Sequence, residues 1–139
     1  GSLVCFIDCK PCKSGYRRFK IKTVDGIDDY AMIREVICRR YRYAALGEEL
    51  YPDIILIDGG LGQLHAALAS FQDMDIRPPM VISLAKREEE LYTQARSRPI
   101  RLKRNDAALR LLQQVRDEAH RFAQHYHHIL RKKKMLNDD

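Results

Sequence analysis

One carboxylate stands where chemistry could be done. Asp58 closes the apolar run Ile54 to Ile57 in Pro52-Asp-Ile-Ile-Leu-Ile-Asp-Gly-Gly-Leu-Gly-Gln-Leu64. Three of those four apolar residues are β-branched, so the run reads as a strand buried on both faces. Gly59 and Gly60 then require a sharp turn or a close approach of backbone to something large. An acid at the carboxyl end of a buried strand, against a glycine turn, is where open α/β sheets hold ligands. The same aspartate could equally cap the helix that comes next, and spacing alone does not choose between the two. Two other groupings have the look of metal sites. Cys5, Cys9 and Cys12 have a C-x3-C-x2-C spacing that can hold an iron–sulfur cluster, but Cys5 falls in a strand and Cys9 to Cys12 in a turn. Packed, reduced thiols are the expectation. His125, His127 and His128 lie on a basic, tapering helix end and are assigned no role, and Glu88 to Glu90 read as a solvated face.

The elements that must position Asp58 follow from periodicity. Residues 3–7 form a short apolar strand and residues 8–12 a turn. Residues 16–21 alternate bulky and basic side chains as the second strand of a hairpin. Asp25 to Asp29 lead into a helix with Ile33, Val36, Ile37 and Tyr41 at helical spacing. A polar link returns to the Asp58 strand, and a helix opens at Gln63. Residues 73–79 form a loop and residues 80–84 a second apolar strand. Residues 93–102 read as a loop with one more short strand. Asp106 is placed to cap a last helix whose apolar stripe is Ala108, Leu111, Leu112, Val115, Ala119, Phe122, Tyr126 and Ile129. The order β-β-α-β-α-β-(β)-α predicts an α/β domain with a mixed sheet flanked by helices over residues 3–133, and a disordered tail over 134–139. One strand is missing, because a hairpin and a later parallel pair need something central to join them. The chain has 139 residues, 45% of them hydrophobic, enough for one globular core. Its net charge of +6 and pI near 9.3 favour a polyanionic partner. No apolar run is long enough for a bilayer and no signal pattern opens the chain, so no membrane partner is expected.

Several motifs coincide in order. Tyr16-Arg-Arg-Phe-Lys-Ile21, Asp28-Asp-Tyr-Ala-Met32, Arg39-Arg-Tyr41, Ile55-Leu-Ile-Asp-Gly-Gly60, Gly62-Gln-Leu64, Leu84-Ala-Lys86, Arg87-Glu-Glu-Glu90 and Arg116-Asp-Glu-Ala-His-Arg-Phe122 resemble the C-terminal endonuclease domain of UvrC. UvrC is the dual-incision nuclease of bacterial nucleotide excision repair. The resemblance implies an RNase H-like fold that cuts damaged duplex DNA on the 5′ side of a lesion, with Mg²⁺ or Mn²⁺ held near an Asp-Asp-His constellation. It also implies a UvrB-type repair partner acting through regions outside this chain, and a cytoplasmic setting. Carried over by motif, the catalytic residues are Asp58, His120 and Asp29, of which Asp58 and His120 are the metal ligands; Asp28 is left as the helix cap. The family's first catalytic aspartate lies in a phenylalanine-aspartate-isoleucine-serine strand that would precede Leu3. No such motif occurs in these residues, so the sheet is expected to lack its first central strand and these residues alone to be inactive. An unpaired sheet edge would then allow homo-oligomer formation, or the hairpin would dock directly on the Asp58 strand. A lysine common in the family is replaced by Leu61, and a proline by Ala107.

Carboxylates suit the implied hard ions, and an imidazole could ligate or move a proton near neutral pH. Arg17, Arg18, Arg39, Arg40, Lys86 and Arg121 are the candidate phosphate contacts, which would make binding salt-sensitive without conferring sequence preference. The competing expectation is a non-catalytic DNA-binding or scaffolding module with an RNase H-like core.

Overall fold

The computed structural model describes residues 2–18, 29–42, 51–85, 90–94 and 98–137, leaving aside the side chains of Tyr126, His127, Leu130 and Asn137. Asp28, Lys86, Glu88, Glu89 and residues 19–21 of the expected second strand lie outside these. The first part of the chain is a broken hairpin. β1 (Ser2–Leu3) pairs antiparallel with β4 (Arg17–Arg18), and β2 (Phe6–Ile7) with β3 (Lys10–Pro11). The apolar pattern alone predicts one unbroken strand over residues 3–7. The registers explain the break: Phe6 faces Pro11 but Leu3 faces Arg17, so the return strand carries three more residues than the outgoing one. A single 3₁₀ turn at Lys13–Gly15 takes them up. Asp8 and Cys9, with φ of 52° and 65°, make the tight turn at the tip. Two left-handed residues there match the twist of the strands.

Among the described residues the main sheet has four strands in the order β5 (Ile54–Asp58), β6 (Met80–Leu84), β7 (Glu90–Thr93) and β8 (Ile100–Arg101). β5 and β6 are parallel; β6, β7 and β8 run antiparallel. The sheet is therefore mixed, as expected. β7 is masked in the sequence by the charged run before it. Glu90 is accommodated by the ion pair with Arg101 across the ladder, at 2.9 Å, and by the Tyr92 hydroxyl, which donates to its other oxygen at 2.9 Å.

β6 buries Val81, Ile82, Ser83 and Leu84 in succession, as an interior strand covered on both faces must. β5 differs from expectation. Ile55 and Ile57 are buried, but Leu56 is only partly covered and Ile54 is 51% exposed. The reason is position: among the described residues β5 pairs only with β6, and the hairpin does not dock on its other edge. Of the two expectations for that edge, pairing with the hairpin or with a second copy of the chain, the first is not met among the described residues.

α1 (Asp29–Tyr41) and α2 (Leu61–Asp73) cover one face of this sheet. Ile37 and Tyr41 from α1, Leu64, Ala67 and Phe71 from α2, and Ile55, Ile57 and Val81 form one buried cluster with Ile33 packed against it. Side chains alternate along a strand, so Leu56 and Asp58 face the opposite way. That face meets α3 (Ala107–Asn137), the longest element. Asp106 starts α3 as expected, its Oδ1 accepting the Ala108 N–H at 2.9 Å. The helix runs to Asn137, past the boundary at residue 133, so residues 134–137 are helical and not a disordered tail.

Candidate functional site

Asp58 is held by the turn that leaves it. The Gly59 N–H extends the parallel ladder one step by donating to the Leu84 carbonyl at 3.2 Å. Gly59 has φ of +151°, and a Cβ there would lie 2.6 Å from Gln63 Cγ. No other residue fits at that position without displacement. Gly60 caps α2: its N–H donates to Gln63 Oε1 at 3.0 Å, and its carbonyl accepts the first helical bond from Leu64. The same carbonyl accepts the hydroxyl of the fully buried Ser83 at 3.1 Å. The turn is thus tied to the neighbouring strand and to the helix it starts, which fixes where the Asp58 carboxylate points.

It points at His120. Nε2 of His120 and Oδ2 of Asp58 are 2.6 Å apart, although 62 residues separate them in the chain. Both side chains keep access to solvent, at 37% and 42% exposure. An ionised carboxylate only accepts, so Nε2–H donates, and in a neutral imidazole the free lone pair is then on Nδ1. That contact leaves the second carboxylate oxygen and Nδ1 outside the bond, on side chains that keep solvent access.

Asp29 is exposed at the first position of α1. Tyr30, the next residue, packs its phenol against Gly62 in the first turn of α2, which brings the start of α1 to the helix that begins just after Asp58. Among the described residues Asp29 makes no hydrogen bond or ion pair with Asp58 or His120, and no group of three or more His, Cys, Asp or Glu could hold a metal ion. All four cysteines are free thiols, with Cys9 exposed and Cys5, Cys12 and Cys38 partly buried. Burial, helped by the neighbouring Cys12, pushes the Cys5 thiol up against the pull of Arg40 and Arg17.

The candidate cations divide. Arg18 lies over the Phe122 ring at 4.6 Å, Tyr16 meets that ring edge-on with centroids 5.1 Å apart, and Arg121 pairs with Glu118. That bond raises the Arg121 pKa and keeps the guanidinium charged. Arg17 donates to the carbonyls of Ser14 and Tyr16, both at 2.8 Å. Arg18 and Arg121 thus stand where the hairpin meets α3, next to His120 along the helix, while the bonds of Arg17 to Ser14 and Tyr16 stay within the hairpin. Arg39 bonds Glu35 at 3.5 Å, and Arg40 lies 5.6 Å from the Tyr41 ring. Sequence reasoning misses Ser83, whose one signal is a small polar residue in an apolar strand. Periodicity assigns Phe122 to the helix stripe alone, but its ring also carries Arg18 and Tyr16 from the hairpin.

A family model described as the UvrC RNAse H endonuclease domain matches residues 1–124. This chain belongs to that family. UvrABC system protein C of Methanococcus maripaludis is 50% identical over 137 residues, which are 98% of this chain and 26% of that protein. The protein of the same name from Chlorobium chlorochromatii is 48% identical over 138 residues, 99% of this chain and 22% of its own length. That of Dictyoglomus thermophilum is 50% identical over 138 residues, with 99% and 23% covered. The chain spans about a quarter of the length of these relatives. For a UvrC RNase H domain, a mixed sheet with helices on both faces is the expected architecture. No described helix is long and apolar enough to cross a membrane.

Proposed function

We propose that this chain is the phosphodiester-cutting domain of a nucleotide excision repair nuclease, acting on damaged duplex DNA on the 5′ side of the lesion. The supporting observation is the meeting of Asp58 and His120 at the carboxyl edge of the sheet, each presented by a rigid element. The exposed Asp58 carboxylate offers the oxygen ligand that Mg²⁺ or Mn²⁺ selects, open to the waters that such ions retain, with His120 beside it. The ion would supply Lewis-acid charge that neutralises the phosphate and makes a water acidic. Asp58 would hold it, and would orient the His120 ring through Nε2. His120, with Nδ1 free, takes or returns a proton. Asp29 acts from the start of α1, and the arginines around Phe122 hold the phosphate backbone beside the site.

One carboxylate beside a histidine does not complete a metal centre. We assign the remaining carboxylate to a strand that pairs with the open edge of β5, the place that the family's first aspartate strand would take. Residues 1–139 alone should then bind Mg²⁺ or Mn²⁺ weakly and leave DNA uncut. A UvrB-type partner is expected to act through regions beyond these residues. The second reading, a non-catalytic DNA-binding module, draws on the small number of ligands among the described residues.

A nicking assay separates the two. A protein of the relatives' full length, given lesion-containing duplex, the UvrB-type partner and either ion, should nick it, and Asp58→Asn or His120→Ala should each lower the rate by at least about 100-fold. Binding of the lesion duplex without nicking by the unmutated protein would favour the module. Near-normal nicking by Asp58→Asn would remove Asp58 from the site.

A further inference from the structure

The family match ends at residue 124, yet α3 continues unbroken to Asn137. Residues 119–137 contain no carboxylate side chain and carry Arg121, Arg131, Lys132, Lys133 and Lys134. The last four of these are exposed. A run of four cations on a helix points in every direction, so helix geometry decides which of them can serve the site. At about 100° per residue, Arg131 lies about 20° and Lys134 about 40° around the axis from His120. Lys132 and Lys133 lie about 120° and about 140° away, on the other side. The face that presents His120 to Asp58 therefore continues, through the exposed Gln124, to Arg131 and Lys134. At about 1.5 Å per residue these two stand about 16 and about 21 Å beyond His120. On duplex DNA that is the axial reach of about five to six base pairs.

We infer that the distal half of α3 is a phosphate rail, in which Arg131 and Lys134 hold the backbone of duplex DNA about five to six base pairs from the phosphate at Asp58 and His120. The rail rests on the proposed function, since it needs the same duplex to lie across both. It adds register: a contact at that distance holds the duplex against sliding along the arginines near Phe122.

The test compares two variants of equal net charge, Arg131→Gln with Lys134→Gln, and Lys132→Gln with Lys133→Gln. Binding of the full chain to duplex DNA is followed by fluorescence anisotropy from about 50 to about 200 mM salt, the range over which phosphate contacts dominate the change. The first pair should lower the magnitude of the log K against log salt slope by about 1.8, two contacts at about 0.9 each. Over that fourfold range the unmutated chain then loses about 12-fold more affinity than the variant. The second pair should change the slope by less than half as much. Equal changes in both variants would mean that the run acts only as bulk charge, and no change in either would mean that it does not touch DNA; both overturn the rail and leave the nuclease reading standing. If the unmutated chain does not bind duplex at low salt, the proposed function falls and the rail falls with it.

Discussion

Gly59→Ala and Gly60→Ala place the same methyl group on adjacent residues, and the structure separates their consequences. At Gly59 the backbone has φ of +151°, and the new Cβ would lie 2.6 Å from Gln63 Cγ and 2.8 Å from Cδ. An alanine is strained at this φ, at about 1–3 kcal/mol, and Gln63 must also move and lose its bond to the Gly60 N–H, at about 1 kcal/mol. The sum is about 2–4 kcal/mol, against a total stability of about 5–15 kcal/mol for a domain of this kind. At roughly 3 °C per kcal/mol, Tm should fall by about 6–12 °C. At Gly60 the new Cβ meets only Gln63 Oε1, at 3.8 Å, an ordinary contact. Its cost is the poorer capping by alanine, under about 1 kcal/mol. Chemical denaturation with unchanged m values would measure both. If Gly59→Ala costs less than about 0.5 kcal/mol, or no more than Gly60→Ala, the turn after Asp58 is not held as described.

Other side chains give equally direct readings. Phe71 is fully buried and packs on Tyr41 with ring centroids 5.7 Å apart. Phe71→Ala should therefore cost about 3–5 kcal/mol by thermal or chemical unfolding. Ser83→Ala removes the buried hydroxyl that bonds the Gly60 carbonyl. It should cost about 1–2 kcal/mol, with a change in the His120 ring resonances in NMR spectra because the Asp58 turn loosens. The two facing thiols of the hairpin should titrate apart. The Ser14 hydroxyl lowers the Cys12 pKa and burial raises that of Cys5. As pH rises, Cys12 therefore reaches its thiolate first, and alkylation followed by mass spectrometry should label it ahead of Cys5. Ser14→Ala should delay Cys12 labelling to higher pH, and an unchanged profile would refute the assignment.

Much of the sheet could be read from local pattern. The apolar runs at Ile54 to Ile57 and Met80 to Leu84 are short, β-branched and bounded by turn residues, and both are strands. Asp106 ahead of an apolar stripe marks the start of α3 for the same local reason. The elements that periodicity misses depend on partners. β7 exists because Arg101 neutralises Glu90 from the next strand, which no window around Glu90 contains. The hairpin break depends on a register difference of three residues between two distant segments. The meeting of Asp58 and His120 belongs to the same class. Spacing leaves Asp58 balanced between a cap and a ligand site, and nothing local to His120 points to so distant a partner along the chain; only the motif resemblance pairs them.

The remaining discrepancy carries its own information. Edge strands are commonly blunted by charge, proline or a bulge within the strand. β5 has none of these between Ile54 and Ile57, with Pro52, Asp53 and Asp58 all at or beyond its ends. Its composition is that of an interior strand, while its exposure, greatest at Ile54, is that of an edge. Ile54 pairs with Met80, which is also exposed, so the bare apolar surface lies at the end of the sheet away from Asp58. A strand added beside β5 would pair, up to Asp58, with the edge that no described strand pairs with, and cover Leu56 further. It would also end beside the Asp58 carboxylate. On the proposed function, such a strand would thus bring its own side chain beside Asp58 and His120, which ties the exposed strand to the site by one test.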